Sequence, residues 1–171
     1  MLRWLIHRKL NAEEKKLGVP VDYLRHVVDV SPAAFLRFCS ILPFANSRKV
    51  LPKDAWFVAQ IVALQHEDCG PCIQITVNLA RQAGVDPALL RAVLDGNGHE
   101  ISPELVDVVE FTRSVNAGID DDSLREALRK RYGERGLIEL AYAIASSRIP
   151  PTVKRVLGYA KSCSIAPVQV G

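Results

Sequence analysis

The amino-acid sequence predicts an all-α fold, and three observations carry that prediction. Apolar residues recur with a period near 3.6: Leu105, Val108, Val109, Thr112 and Val115 make one stripe, and Leu137, Leu140, Ala141, Ile144 and Ala145 make another. Ser31-Pro32, Asp86-Pro87 and Ser102-Pro103 each read as an N-cap followed by proline at the first helical position. Proline fits there because its missing N–H has no intrahelical partner in any case. Period-two alternation is absent, and the Asn97-Gly98 pair has no β-branched runs on either side to make a hairpin.

Taken in order, the helices are expected at 2–17, 21–29, 32–41, 53–66, 69–83, 87–95, 103–117, 123–132, 134–147 and 151–162. The first carries Arg3, Arg8 and Lys9 around Leu2, Trp4, Leu5 and Ile6. It reads as a basic amphipathic helix that packs on its own domain or on a neighbouring subunit rather than on a membrane surface. Ser31-Pro32 opens the third. The stretch from Leu42 to Lys53 reads as a linker, dividing an N-terminal helical arm (1–45) from a helical core domain (46–171). Ala55 to Leu64 is the most apolar run and predicts a buried core helix. Asp68 is expected to cap the helix that follows, and Asp86-Pro87 and Ser102-Pro103 open the next two. Ser123 with Glu126 predicts a capping box. Gly18, Gly84, Gly96, Gly118 and Gly158 fall near the ends of the periodic segments, where a left-handed cap favours glycine.

Composition narrows the function classes. A chain of 171 residues, 49% hydrophobic, buries a core without a disulfide staple or a structural metal. A formal net charge of +3 is too small and too dispersed to predict nucleic-acid binding. No apolar run approaches the ~20 residues that a bilayer span requires. The N-terminal segment lacks the uninterrupted apolar core and cleavage site of a secretory signal, so the expected compartment is the cytoplasm. Four cysteines there are expected to be mostly reduced thiols, and a close pair points to catalysis or metal binding rather than to a structural staple.

That pair lies in Gln65-His66-Glu67-Asp68-Cys69-Gly70-Pro71-Cys72. At a helix start, free N–H groups and the positive end of the helix dipole favour thiolate over thiol. A spacing of three residues puts both sulfurs on one face, near enough to close a small disulfide, so that one cysteine attacks and the other resolves. Two other readings of the same residues stand beside this one. The cysteines can be small apolar core residues, or part of a zinc site completed by His66, Glu67 or His99. A thioredoxin fold is excluded, since its Cys-Gly-Pro-Cys follows a strand and this chain shows none. Cys39 and Cys163 are isolated and read as packing or tail residues. Arg148 is a candidate to close a pocket or to pair at a subunit contact.

The segment from Leu51 to Gly96, including DAWFVAQIVALQHEDCGPCIQITVNLARQAGVDPALLRAVLDG, resembles the alkylhydroperoxidase D-like branch of the carboxymuconolactone decarboxylase family. The likeness lies in a Cys-x-x-Cys that opens a helix after a long apolar one, and in the Ala-Gly-Val-Asp-Pro loop at Ala83 to Pro87. It implies an alkylhydroperoxidase D-like all-α bundle, free of cofactors and assembled as a trimer or hexamer. It also implies reduction of organic hydroperoxides through a Cys69/Cys72 dithiol–disulfide cycle, with a thioredoxin-like or lipoyl-type dithiol as electron donor. Carried over by position, Cys72 attacks the peroxide and Cys69 resolves. The family's relay glutamate and histidine fall on Phe57 and Thr76, neither of which moves protons at neutral pH. His66 and Glu67, just before the pair, are the candidate substitutes. Without a relay, the chain is instead a non-peroxidase member acting in disulfide exchange, as a redox sensor or as a non-catalytic helical oligomer.

Overall fold

The computed structural model describes residues 1–160 and 168–170. Three helices, α1 (Leu2–Leu17), α2 (Asp22–Val30) and α3 (Pro32–Cys39), share an apolar cluster of Ile6, Leu10, Val21, Val28 and Phe35. A short α4 (Leu42–Ala45) follows. The second, larger cluster is built around α5 (Lys53–His66), which packs against α6 (Gly70–Gln82), α7 (Pro87–Asp95), α8 (Pro103–Asn116) and α9 (Asp122–Val156). A 3₁₀ turn at Gly98–Glu100 joins α7 to α8. The described residues are helical or irregular, with no strand among them. None of their helices is long and apolar enough to cross a membrane.

The apolar run of α5 explains its central place. Ala55, Val58, Ala59, Ile61 and Ala63 have no exposed surface at all, and alanine at three of these positions lets neighbouring helices approach. Leu51, Leu90, Leu128 and Leu140 close the core around it, each fully buried. Burial of one such side chain stabilises the fold by about 1.5–3 kcal/mol relative to exposure.

Most local start and stop signals act as expected. The Ser31 hydroxyl accepts from the Ala34 amide at 3.2 Å, and the Asp86 carboxylate accepts from the Ala88 amide at 2.8 Å. Gly96 ends α7 with φ +69°, a conformation that costs a β-carbon and suits glycine. Two caps differ. Ser102 flanks α8, yet its hydroxyl bonds the Glu104 carboxyl instead of a backbone amide. The expected Ser123 capping box does not form, because Asp121 sits at the cap and accepts from the Leu124 amide at 2.9 Å.

The connector and the last helix also depart from expectation. The stretch read as a linker contains α4, whose Phe44 ring lies 4.2 Å from that of Tyr142. Beyond α4 it is pinned by buried Glu139, whose Oε2 accepts from the amides of Lys49, Val50 and Leu51 at 3.0, 2.9 and 2.8 Å. Burial pushes the Glu139 carboxyl up, but those three amides outweigh it and hold the group below the usual carboxylate range. Of the three helices expected after residue 122, the first two are divided at Gly133 as expected, but the second and third run on as one through Pro150 and Pro151 to Val156. The φ of 71° and ψ of 174° at Gly133 belong to a region essentially confined to glycine. Pro150 and Pro151 lie inside α9 rather than at a helix start, since the buried face around Ser147 and Pro151 overrides the local preference of proline. Cys163 and the end of the expected 151–162 helix lie outside the described residues.

Candidate functional site

The turn between α5 and α6 builds the site. α5 ends at His66, and the chain reverses through Asp68, which takes φ +47°, a left-handed conformation that aspartate tolerates better than most residues. Asp68 therefore does not cap α6. Cys69 occupies the cap position, Gly70 and Pro71 open the helix, and Cys72 follows in its first turn. Cys69 and Cys72 are joined as a disulfide, with their Cα atoms 5.3 Å apart. Among the described residues Cys39 remains a thiol, half-buried beside the arm cluster, and burial pushes its pKa up.

The two sulfurs face different surroundings. Cys72 lies in the wall of an apolar cavity of about 440 Å³ between the arm and the core, together with Leu24, Phe38, Trp56, Phe57 and Gln60. Cys69 is 1% exposed and borders a smaller space of about 120 Å³ shared with Glu67, Pro151 and Arg155. Phe57, at the position where the family resemblance places a relay glutamate, is thus a piece of apolar wall. Thr76 also lines the larger cavity, but its hydroxyl donates to the Cys72 carbonyl at 3.1 Å and so is engaged by its own helix.

The two candidate relay residues separate. Glu67 is buried at the site, where Arg148 Nε donates to its Oε1 at 2.8 Å and Arg155 donates to its Oε2 at 2.5 Å and also to its backbone carbonyl. Burial pushes this carboxyl up, but the hydrogen bonds and charges of Arg155 and Arg148 prevail and keep it below the usual range. A carboxylate held this way is a poor carrier of protons at neutral pH. His66, by contrast, is exposed and lines neither cavity. Arg148 pairs with Glu67 rather than closing the cavity itself. For zinc, no group of three or more His, Cys, Asp and Glu side chains is gathered for a metal ion among the described residues.

The group that sequence reasoning missed is Lys154. It is 5% exposed, and its Nζ lies 3.4 Å from Cys72 Sγ and 3.8 Å from Cys69 Sγ. Nζ also sits 5.1 Å from the centre of the Tyr23 ring, within the range of a cation–π contact. Burial pushes the Tyr23 hydroxyl far up, so the ring faces the ammonium as a neutral phenol. The signal was present: Leu140, Ile144, Ser147, Pro151 and Lys154 share one helical stripe, and a lysine on a buried stripe calls for a partner.

No protein-family model matches the sequence, no curated protein matches it, and no solved structure matches the fold. The likeness drawn from Leu51 to Gly96 rests on this chain's own residues.

Proposed function

We propose that the chain is a thiol-dependent oxidoreductase of the alkylhydroperoxidase D-like branch of the carboxymuconolactone decarboxylase family. In this reading it reduces organic hydroperoxides through a dithiol–disulfide cycle of Cys72 and Cys69. The observation that carries the proposal is the position of Cys72: in the first turn of α6, bonded to Cys69 and set in the wall of an apolar cavity large enough for an organic group. A cysteine that served only as core packing would have no need of a cavity or of a buried lysine beside it. Cys72 is the attacking residue and Cys69, more deeply buried, the resolving one.

The burial of both sulfurs favours a slim dithiol of the lipoyl type as electron donor over the broad surface of a thioredoxin-like protein. Assembly into a trimer or hexamer belongs to the same reading. The apolar groove of Phe111, Val115, Leu137, Ala141 and Ala145 between α8 and α9 supports it as a contact face. Reaction of the reduced protein with one equivalent of cumene hydroperoxide, followed by intact mass and peptide mapping, tests the proposal against free cysteine. Closure of Cys69–Cys72 much faster than oxidation of the free thiol is the expected result. Closure no faster than the free thiol overturns it and leaves disulfide exchange or redox sensing as the reading of the pair.

A further inference from the structure

The site brings a carboxylate, a histidine, a threonine and a glutamine near the pair, and none of them is placed to exchange a proton with sulfur. Both oxygens of Glu67 are taken by arginines. His66 is exposed, Thr76 bonds its own helix, and Gln60 does not ionise at any ordinary pH. Lys154 alone among these neighbours places an ionisable nitrogen within 4 Å of both sulfurs.

We propose that Lys154 is the catalytic acid–base residue of the pair, partnering the Cys72 thiolate in the reduced protein and delivering a proton to the oxygen that leaves it. This inference rests on the peroxidase reading of Cys72 and Cys69. Among the ionisable groups that face Lys154 are Cys69 and Cys72 from α6 and Tyr23 from α2. From α5, Gln60 and Leu64 border the same cavity and carry no charge, and Arg155, next along α9, turns to Glu67. With the disulfide reduced, a thiolate at Cys72 would lie within 4 Å of the Lys154 nitrogen. An ammonium at this distance in a water-poor site favours thiolate over thiol.

The steps balance around one proton site. The Cys72 thiolate attacks the terminal oxygen of the hydroperoxide and the O–O bond breaks. Sulfur is oxidised by two electrons to a sulfenic acid, and the other oxygen leaves as alkoxide. The alkoxide takes a proton from the Lys154 ammonium and departs as the alcohol. The resulting amine takes the proton of the Cys69 thiol. The Cys69 thiolate attacks Cys72 sulfur, the S–S bond forms, the S–O bond breaks, and hydroxide leaves as water with that same proton. A dithiol donor, itself oxidised to a disulfide, returns two electrons and two protons. These restore the Cys69 thiol, the Cys72 thiolate and the Lys154 ammonium.

Two readouts test the inference. The first is the pH profile of Cys72 alkylation by iodoacetamide in the reduced protein, which reports thiolate without any peroxide. In Lys154→Met the profile moves to higher pH, and alkylation at pH 7 slows by about tenfold. Lys154→Gln provides a second neutral variant, with folding of each checked by circular dichroism. The second readout is disulfide closure with cumene hydroperoxide. Lys154→Arg keeps the charge and the alkylation profile, but a guanidinium does not give up its proton, so closure slows by about 10²-fold. Neutral variants whose alkylation profile superimposes on the wild type overturn the thiolate partnership. Lys154→Arg closing at the wild-type rate overturns proton delivery. Should the wild-type protein itself close no faster than free cysteine, the peroxidase reading and proton delivery fall together. The alkylation profile still decides the partnership on its own.

Discussion

Cys69 and Cys72 are three residues apart and bonded to each other, yet one looks onto an apolar wall and the other onto a polar one. On the Cys72 side, arm residues Leu24 and Phe38 face Trp56 and Phe57 of the central helix across a cavity of about 440 Å³. On the Cys69 side, Glu67 and Arg155 border a space about a quarter of that size, and Glu67 is ion-paired to Arg155 and Arg148. Two thiols with the same intrinsic chemistry thus acquire different partners from the helices packed around them. The apolar wall offers the larger space, and the ion-paired wall borders the smaller one. Lys154 stands between the two, within reach of both sulfurs.

The most direct way to break this asymmetry is to remove one sulfur at a time. Cys72→Ser abolishes hydroperoxide consumption to the uncatalysed background, because the remaining thiol of the pair borders only the smaller space. Cys69→Ser keeps the first step: one equivalent of hydroperoxide is consumed and a sulfenic acid accumulates on Cys72, trapped by dimedone and located by peptide mapping. A trapped adduct on Cys69 in the Cys72→Ser protein, formed at a comparable rate, would reverse the assignment of the two walls.

The polar wall is tested through stability. Glu67→Gln leaves Arg148 and Arg155 facing a neutral amide in a buried position. Breaking a buried ion pair commonly costs 3–5 kcal/mol; here both arginines keep 40% or more of their side chains in solvent, which reduces the cost to about 1–3 kcal/mol. The sign of its pH dependence follows from the lowered carboxyl of Glu67. A group whose folded pKa lies below its unfolded value contributes fully above the ordinary carboxylate range and progressively less as pH falls through it. Urea denaturation of wild type and Glu67→Gln should therefore show its full gap at pH 7 and a shrinking one below about pH 4.5. A gap that grows on acidification would show that the arginines do not hold the carboxylate ionised.

How much of this was legible in the sequence depended on how local the cause was. The bounds of α5 and α7 agree with expectation at both ends, because an apolar run or an Asp-Pro cap with a closing glycine acts within a few residues. The cysteine pair was legible for the same reason. The continuation of α9 through Pro150 and Pro151 was not, since the prolines stay helical only through packing that the local sequence does not express. The expected stripe of Leu137, Leu140, Ala141, Ile144 and Ala145 is met in part: Leu140 and Ile144 are buried and Leu137 packs against the core, but Ala141 and Ala145 are exposed, while Ala143, Ser147, Pro151 and Lys154 turn inward. That difference is what hid Lys154. Its contacts with the cysteines, like those of Arg148 and Arg155 with Glu67, join residues more than eighty positions apart, and only the packing of α9 against the α5–α6 turn creates them.

The apolar wall can be filled without touching either sulfur. Leu24 is half-buried on the arm and borders the cavity. Leu24→Trp reduces the room available to an organic group, so disulfide closure with cumene hydroperoxide slows by about tenfold, while closure with hydrogen peroxide stays within about twofold, as steric discrimination in a pocket is worth roughly 1–3 kcal/mol. The ratio of the two rates is the quantity to measure, since any general loosening of the fold moves both together. Equal slowing with both peroxides would mean that the cavity is not the route to Cys72.

The smallest effect is expected at His66, and its size is informative because proximity in sequence argued for more. His66 lies three residues before Cys69 and carries an imidazole, so sequence distance alone made it a substitute for the missing relay histidine. The turn through Asp68 decides otherwise: it carries the chain from α5 into α6 with Glu67 folded inward and His66 left on the outside. A general base must reach its proton directly or through one water, and a side chain that lines neither cavity meets neither condition. His66→Gln should therefore leave the rate of disulfide closure within about twofold of wild type from pH 6 to 8, against the 10²–10⁴-fold that a working general base is commonly worth. A loss of tenfold or more would place a proton path outside the two walls and remove Lys154 from its central position.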